Sequence, residues 1–190
     1  YGLFAVGLAL VFGVMKTVNF AHGEFFMLGG YIIWLMTAIL PNQPLWMVFV
    51  AALVIGPLAL ALIGILFEKL IFEPTSQGAF GGFIASLGLS YVLQALAALT
   101  FGVVSKSLPV MIPGQTEIGG GILTYQRLVV IVCAVLMMAS LWYFLNRTRG
   151  GRAIRAASQN RTSALLQGIS LKRIRLTTMA IGAAMAGVSG

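Results

Sequence analysis

Polar residues that could do chemistry are scarce in this 190-residue sequence, so each can be weighed individually. The densest group is the run Lys16-Thr17-Val18-Asn19-Phe20-Ala21-His22-Gly23-Glu24. It sets an amide, an imidazole and a carboxylate between two strongly apolar stretches. Ionisable groups at such positions are costly unless they face a cavity or other protein groups. Irregular backbone is tolerated there under the same condition. Asn19, His22 and Glu24 therefore read as a helix break that lines, supports or gates a polar path. The alternative is a loop at a membrane surface, with Asn19 as the N-cap of the next helix. His22 is the sole histidine, so a metal site built on it would lack partners.

The second polar stretch is residues 146–175. Gly150 and Gly151 read as the end of the preceding helix. An Ala-rich segment with Arg152, Arg155, Asn160 and Arg161 follows, long enough for one or two short helices. Ile154, Ala157, Ala164 and Leu165 fall on one helical face, interrupted by Arg161, and Gly168 breaks the pattern before Ile169. A basic loop resting on anionic lipid headgroups would have this charge. The helical pattern favours a docking element for a cytoplasmic partner.

Other chemistries are excluded by inventory. The sequence contains no G-x-x-x-x-G-K-[ST], so it carries no P-loop for ATP. Aspartate is missing, which removes a Ser-His-Asp arrangement. Glu68 and Glu73 flank Lys69 and read as surface charge in a loop rather than a paired acid and base. The single cysteine, Cys133, sits in an apolar run and reads as a packing residue. No span carries the ladder of charges that a proton relay or voltage sensor needs.

The elements that must position these residues follow from hydropathy. Hydrophobic residues make up 59% of the sequence, charged residues 8%, and mean hydropathy is +1.00. Soluble domains carry about a quarter charged residues. The chain therefore reads as all-α, a polytopic transmembrane helical bundle. Its apolar stretches are 1–15, 25–40, 45–67, 79–104, 128–145 (extended backwards by Ile122 and Leu123) and 176–190, about six membrane segments. Pro57 lies inside the third and is expected to kink it. Gly78, Gly81, Gly82 and Gly88 crowd the start of the fourth and suit close helix contact. Residues 105–121, with Pro109, Pro113, Gly114, Gly119, Gly120 and Gly121, read as a turn-rich loop with room for a short hairpin. Both ends fall inside apolar stretches. The sequence thus reads as one transmembrane domain over 1–190, cut at both ends, with 146–175 as its cytoplasmic segment.

Charge sets the orientation. Twelve Lys and Arg face four acids, for a net charge of +8. The bases lie between apolar runs, which argues for topology signals and membrane-lipid contacts rather than nucleic acid. With 146–175 inside, Lys16, Lys69, Arg147, Arg149, Arg152, Arg155, Arg161, Lys172, Arg173 and Arg175 are all inside, and only Lys106 and Arg127 are outside. The opposite orientation reverses that ratio.

These stretches together resemble the branched-chain amino acid ABC transporter permeases, the LivH-type family. The resemblance is carried by residues 7–15, by Val18-Asn19-Phe20-Ala21-His22-Gly23-Glu24, by Met27-Leu28-Gly29 and by Ala85-Ser86-Leu87-Gly88-Leu89. Gly151-Arg152-Ala153-Ile154-Arg155-Ala156, Gly168-Ile169 and the Gly/Ala-rich 182–190 extend it over essentially the whole sequence. It implies a multi-pass permease of a bacterial inner membrane that is not itself an enzyme and has no cofactor of its own. ATP would be bound by partner ABC ATPase subunits. A second permease subunit, expected to be a different chain, and a periplasmic substrate-binding protein would complete the importer. It further implies that 151–169 holds the coupling helices, with Gly151, Arg152, Arg155, Asn160, Arg161 and Gly168 as candidates for contact with the ATPase. The widespread E-A-A…G coupling pattern is not followed: Ala156-Ala157 lacks a preceding Glu, and Asn160 stands where a carboxylate is expected nearby. Related permeases handle urea or short amides, and the sequence alone does not separate these substrates. A secondary transporter or channel uncoupled from ATP is the rival outside this class; it would need ion-coupling groups that the spans lack. An integral-membrane enzyme or a purely structural subunit are weaker rivals.

Overall fold

A computed structural model describes residues 1–75, 80–108, 114–118 and 121–190. Gly78, Pro109, Pro113, Gly119 and Gly120 lie outside the described residues. The chain folds as helices α1 (Gly2–Met15), α2 (His22–Ile39) and α3 (Leu45–Phe67), the last running through a π-helical turn (Glu68–Phe72) into α4 (Glu73–Thr75). Then come α5 (Gly81–Phe101), strands β1 (Gln115–Ile118) and β2 (Gly121–Thr124), and helices α6 (Tyr125–Arg147), α7 (Arg149–Gln159), α8 (Arg161–Leu166) and α9 (Leu171–Ser189).

Helices occupy all six expected apolar stretches. Among the described residues, three are by themselves long and apolar enough to cross a membrane: Leu45–Thr75, Gly81–Phe101 and Tyr125–Arg147. The other three fall short for visible reasons. At 14 residues, α1 is about 21 Å long, against a hydrocarbon core of about 30 Å. His22 and Glu24 open α2, and Lys172, Arg173 and Arg175 occupy the first turns of α9. Pro57 sits within α3 without interrupting its assignment as one helix.

Ile122 and Leu123 do not extend the fifth segment. They belong to β2, which pairs antiparallel with β1 in the register Gln115↔Thr124 to Ile118↔Gly121. They are extended and paired with Glu117 and Thr116, and the helix starts only at Tyr125. The expected short hairpin is therefore present, and it takes residues assigned from hydropathy to the span.

The bundle is organised around α9, which packs on α1, α2 and α3. Small residues allow the close approach. A Cβ on Gly64 would stand 2.8 Å from the Ala183 side chain, and one on Gly7 would stand 3.1 Å from the Gly182 carbonyl. A Cβ on Gly29 would run into the backbone of Gly187. Helices in lipid gain most from such contact, because apolar burial alone does not drive them together. The main core joins Val11, Phe25, Leu60, Met179, Ala183 and Ala186. A second cluster, Val14, Ile154, Ala157, Ala164 and Ile174, attaches α7 and α8 to the ends of α1 and α9. By contrast α5 and α6 present long apolar faces outward, with Leu99 83% and Leu136 63% exposed, the pattern of surfaces that meet lipid or another subunit.

Candidate functional site

The break between α1 and α2 begins where Lys16 closes α1 in the left-handed conformation, φ 59°. That conformation is uncommon for a residue with a Cβ. It turns the chain inward, so that Asn19, Ala21, His22 and Glu24 are all buried. Asn19 is not the cap of α2. The N-cap position is Ala21, with no side-chain bond, and the Asn19 carbonyl accepts from the His22 amide at 3.2 Å. The Asn19 side chain reaches α9 instead, donating to Met179 Sδ at 3.7 Å. Burial explains the difference: Asn19 is 5% exposed and faces α9.

His22 is 1% exposed and sits beside the Phe4 ring at 5.0 Å between centroids. Its imidazole fits because Gly7 and Gly182 leave room: a Cβ on Gly7 would lie 3.3 Å from His22 Nε2. Neither ring nitrogen has a hydrogen-bond partner among the described residues. His22 and Asn19 thus join α1, α2 and α9, and they lie inside the packed core.

Glu24 makes the most connected polar contact. Its Oε1 accepts from Ser90 Oγ at 2.7 Å and from Gln94 Nε2 at 2.8 Å, and Gln94 Nε2 also donates to Ser90 Oγ at 3.1 Å. One turn earlier, Ser86 Oγ accepts from the Phe20 amide at 3.2 Å and donates to the Phe83 carbonyl at 2.8 Å. Ser90 and Gln94 were not singled out from the sequence, and Ser86 entered only within the run Ala85-Ser86-Leu87-Gly88-Leu89. Their spacing of four, which puts them on one stripe of α5, was the signal available.

Next to this stripe, α2, α5, the segment after α5 and Gly190 line an open groove of about 630 Å³. Tyr31, Trp34, Gln94, Ala97 and Lys106 are among its lining residues. Asn19, His22 and Glu24 do not line it; Glu24 reaches it through Gln94.

In 146–175 the structure rearranges several expectations. Gly150 and Gly151 do not end α6 but lie in the first turn of α7. Thr148 makes the junction, its hydroxyl donating to the Phe144 carbonyl at 2.7 Å and accepting from the Gly151 amide at 3.0 Å. A Cβ on Gly151 would collide with the backbone of Phe144 and Leu145. Asn160 is the N-cap of α8, accepting from the Ser163 amide at 3.0 Å. Ile154, Ala157 and Ala164 are buried as one face, but Leu165 points out, 54% exposed beside Leu166 at 85%. The break at Asn160 resets the helical phase, so Ala164 stays on the buried side while Leu165 turns away from it. Gly168 takes φ 76° after α8 and allows the turn toward α9.

Two arginines tie this segment to helix ends. Arg155 donates to the Leu145 carbonyl and to Asn146 Oδ1 near the end of α6. Arg161 Nη2 donates to the Val14 carbonyl at 3.0 Å, at the end of α1. Terminal helix carbonyls lack intrahelical partners and carry partial negative charge, so a guanidinium is well placed there. Arg152 is exposed, as are Asn160 and Gly168.

Glu68 and Glu73 also differ from expectation. They are helical, and Glu68 is buried at 1% exposure. Glu68 Oε1 pairs with Arg175 Nε at 2.7 Å, while Arg175 Nη2 donates to the Phe72 carbonyl at 3.1 Å. Glu73 pairs with Lys172 at 2.7 Å on a more exposed side. These contacts fasten the lower end of α3 to the start of α9.

The arrangement is a helical membrane scaffold with a buried polar break, and its two short amphipathic helices are attached to the ends of the membrane helices. Comparison with known proteins decides what it is part of. Residues 1–190 match the family described as "Branched-chain amino acid transport system / permease component". The chain belongs to this family. Among relatives of this permease, the high-affinity branched-chain amino acid transport system permease protein BraD of Pseudomonas aeruginosa is 30% identical over 200 residues, covering 100% of this chain and 64% of the relative. The corresponding protein LivH of Escherichia coli K12 is 31% identical over 199 residues, covering 100% of this chain and 65% of the relative. A probable branched-chain amino acid transport permease protein LivH of Methanocaldococcus jannaschii is 27% identical over 205 residues, covering 99% of this chain and 60% of the relative. The chain spans a little under two thirds of the length of these relatives. No solved structure matches it. Family membership and the three apolar spans make it an integral membrane protein.

Proposed function

We propose that this permease is the membrane subunit of an ABC importer that carries branched-chain amino acids across the bacterial inner membrane. Residues 1–190 act as one permease domain, with 146–175 as its cytoplasmic coupling segment. ATP is bound and hydrolysed by separate ABC ATPase subunits. A second permease subunit and a periplasmic binding protein complete the system, and membrane lipid covers the outward apolar faces of α5 and α6. The single observation that carries this reading is the family match over the whole chain; the relatives' names supply the substrate class.

The geometry supports a coupling route. Leu165 and Leu166 project outward from α8, a surface that an ATPase cleft would cover. The other side of α7 and α8 is packed on Val14 and Ile174. Motion of α8 is therefore passed to α1 through Arg161 and the Val14 carbonyl, and to α9 through the same cluster. Both helices hold the buried break: α1 leads directly into it, and α9 meets Asn19 and His22. Asn19, His22 and Glu24 act as positioning groups whose rearrangement opens or closes the path in an alternating-access cycle.

The test uses the full-length protein with its ATPase, second permease and binding protein in liposomes. ATP-dependent leucine uptake that also requires the binding protein is the expected result. Arg161→Ala should lower uptake per ATP hydrolysed while leaving assembly intact. Uptake without ATP, or failure of any ATPase to bind, would overturn the reading. ATP-driven uptake of urea or amides but not leucine would leave the importer and reject the substrate.

A further inference from the structure

The groove between α2 and α5 is open to its surroundings, and its volume of about 630 Å³ falls within the roughly 300–1,000 Å³ of small-molecule sites. Its wall chemistry is uneven in an informative way. One side is aromatic. Tyr31 stacks on Phe101 at 4.1 Å between centroids, and Trp34 meets the same ring edge-on at 5.9 Å. Met27, Ala97 and Ala98 extend this apolar lining. An exposed cation stands over it: Lys106 Nζ lies 5.0 Å from the centre of the Trp34 ring. A cation held on an aromatic face is oriented without being neutralised, so its charge is available to an anionic group in the cavity. Two more polar side chains line it, Ser105 and Gln94. The Gln94 amide nitrogen is committed to Glu24 and Ser90, which leaves its side-chain carbonyl as an acceptor. Behind it lies the Glu24 carboxylate, 7% exposed.

An apolar wall, a cation and an acceptor backed by a carboxylate are the complement of a zwitterion with an apolar side chain. We propose that this cavity is a binding site for an apolar α-amino acid on its way through the permease. The carboxylate goes to Lys106, the ammonium to Gln94 with Glu24 behind it, and the side chain to Tyr31 and Trp34. The groove lies against the middle of α2 and the last turns of α5, and both helices start on the side where α7 and α8 lie by the charge argument. The site therefore faces the outer mouth of the path. Gln94 links it directly to the Glu24 contact with the helix break, so occupancy of the cavity and the position of the break are mechanically joined. The placement rests on the transport role proposed above.

The experiment is photolabelling with the diazirine analogue of leucine, using the complete complex in liposomes with binding protein and ATP, and uptake measured in parallel. The expected result is label on peptides containing Met27, Tyr31 or Trp34, or on residues 94–106, removed by excess leucine. Lys106→Gln should lower that label about tenfold, the effect of losing one hydrogen bond to a charged group, and Lys106→Arg should restore it. Lys69→Gln, far from the cavity, should leave it unchanged. Label confined to other segments in a complex that takes up leucine would overturn the site while the transport role stands. Full label in Lys106→Gln would overturn the role of the cation and with it the zwitterion. A complex that assembles but takes up no leucine would reject the transport reading and the site together.

Discussion

The ion pair between Glu68 and Arg175 is the most exacting prediction, because its two members should not be equivalent. Glu68 has one oxygen paired, Oε1 to Arg175 Nε at 2.7 Å; its Oε2 is buried with no hydrogen-bond partner among the described residues. Its side chain is 2% exposed, whereas that of Arg175 is 20% exposed and also holds the Phe72 carbonyl. Arg175→Met therefore leaves a buried carboxylate alone and should destabilise the protein by about 3–5 kcal/mol. Glu68→Gln leaves Arg175 its carbonyl and a route to water, and should cost only about 1.5–3 kcal/mol, the range for one hydrogen bond to a charged group. Glu68→Met combined with Arg175→Met removes both charges. It should fall short of the sum of the corresponding single changes by about 1–3 kcal/mol, the coupling expected of residues in one network. Reversible titration with sodium dodecyl sulfate in mixed micelles, followed by tryptophan fluorescence, supplies the free energies of the wild type and the four variants. Additivity within about 0.5 kcal/mol, or a larger loss from Glu68→Gln than from Arg175→Met, would refute the argument that α3 and α9 are held by a desolvated pair.

Two further predictions concern packing and local structure. Gly29→Ala drives a methyl group into the Gly187 backbone; a rigid obstacle of this kind should cost about 1–3 kcal/mol and lower the thermal midpoint of the purified protein in size-exclusion fluorescence, with Gly30→Ala, whose nearest contact is 3.7 Å, much less affected. Thr148→Ala removes the cap of α7 and its tie to Phe144, so hydrogen exchange at the first-turn amides of α7 should accelerate by the equivalent of about 0.5–2 kcal/mol, while α9 amides stay protected.

Much of the bundle was legible because hydropathy is a property of segments. Apolar runs of 14 to 23 residues announce α1, α3 and α6 whatever they pack against. The polar run 16–24 was legible as a break for the same reason, as an interruption in such runs. Orientation on the fold of individual polar groups was not. Glu68 read as surface charge because its partner lies 107 positions away in sequence, and local context holds no trace of it. Gly150 and Gly151 carried the ordinary signal of a helix end. The signal was overridden because Thr148 caps the next helix at once, and Gly151 is needed for the close turn rather than for a stop. Leu165 failed because a helical face was carried across Asn160, where the chain restarts its phase. In each case the competing contact was tertiary or one residue out of register, beyond what periodicity can resolve.

The role of α9 follows from these corrections taken together. Ser170 caps it, and Arg175 anchors its start to α3. Thr178 and Met179 are fully buried, with Met179 against Asn19. Gly182 makes room for His22, Gly187 fits against Leu60 and Gly29, and Gly190 lies on the Phe26 backbone. One helix thus touches the coupling segment at one end and the buried break along its middle, through contacts too close to yield gradually. Packed interfaces of this density shift between discrete arrangements rather than deform. A displacement of α7 and α8 large enough to move Ile174 must therefore either carry α9 together with the end of α3 that Glu68 ties to it, changing what Asn19 and His22 meet, or break the Glu68–Arg175 pair. The first path transmits motion to the break and the second dissipates it. The buried ion pair, which does no transport chemistry itself, decides between them.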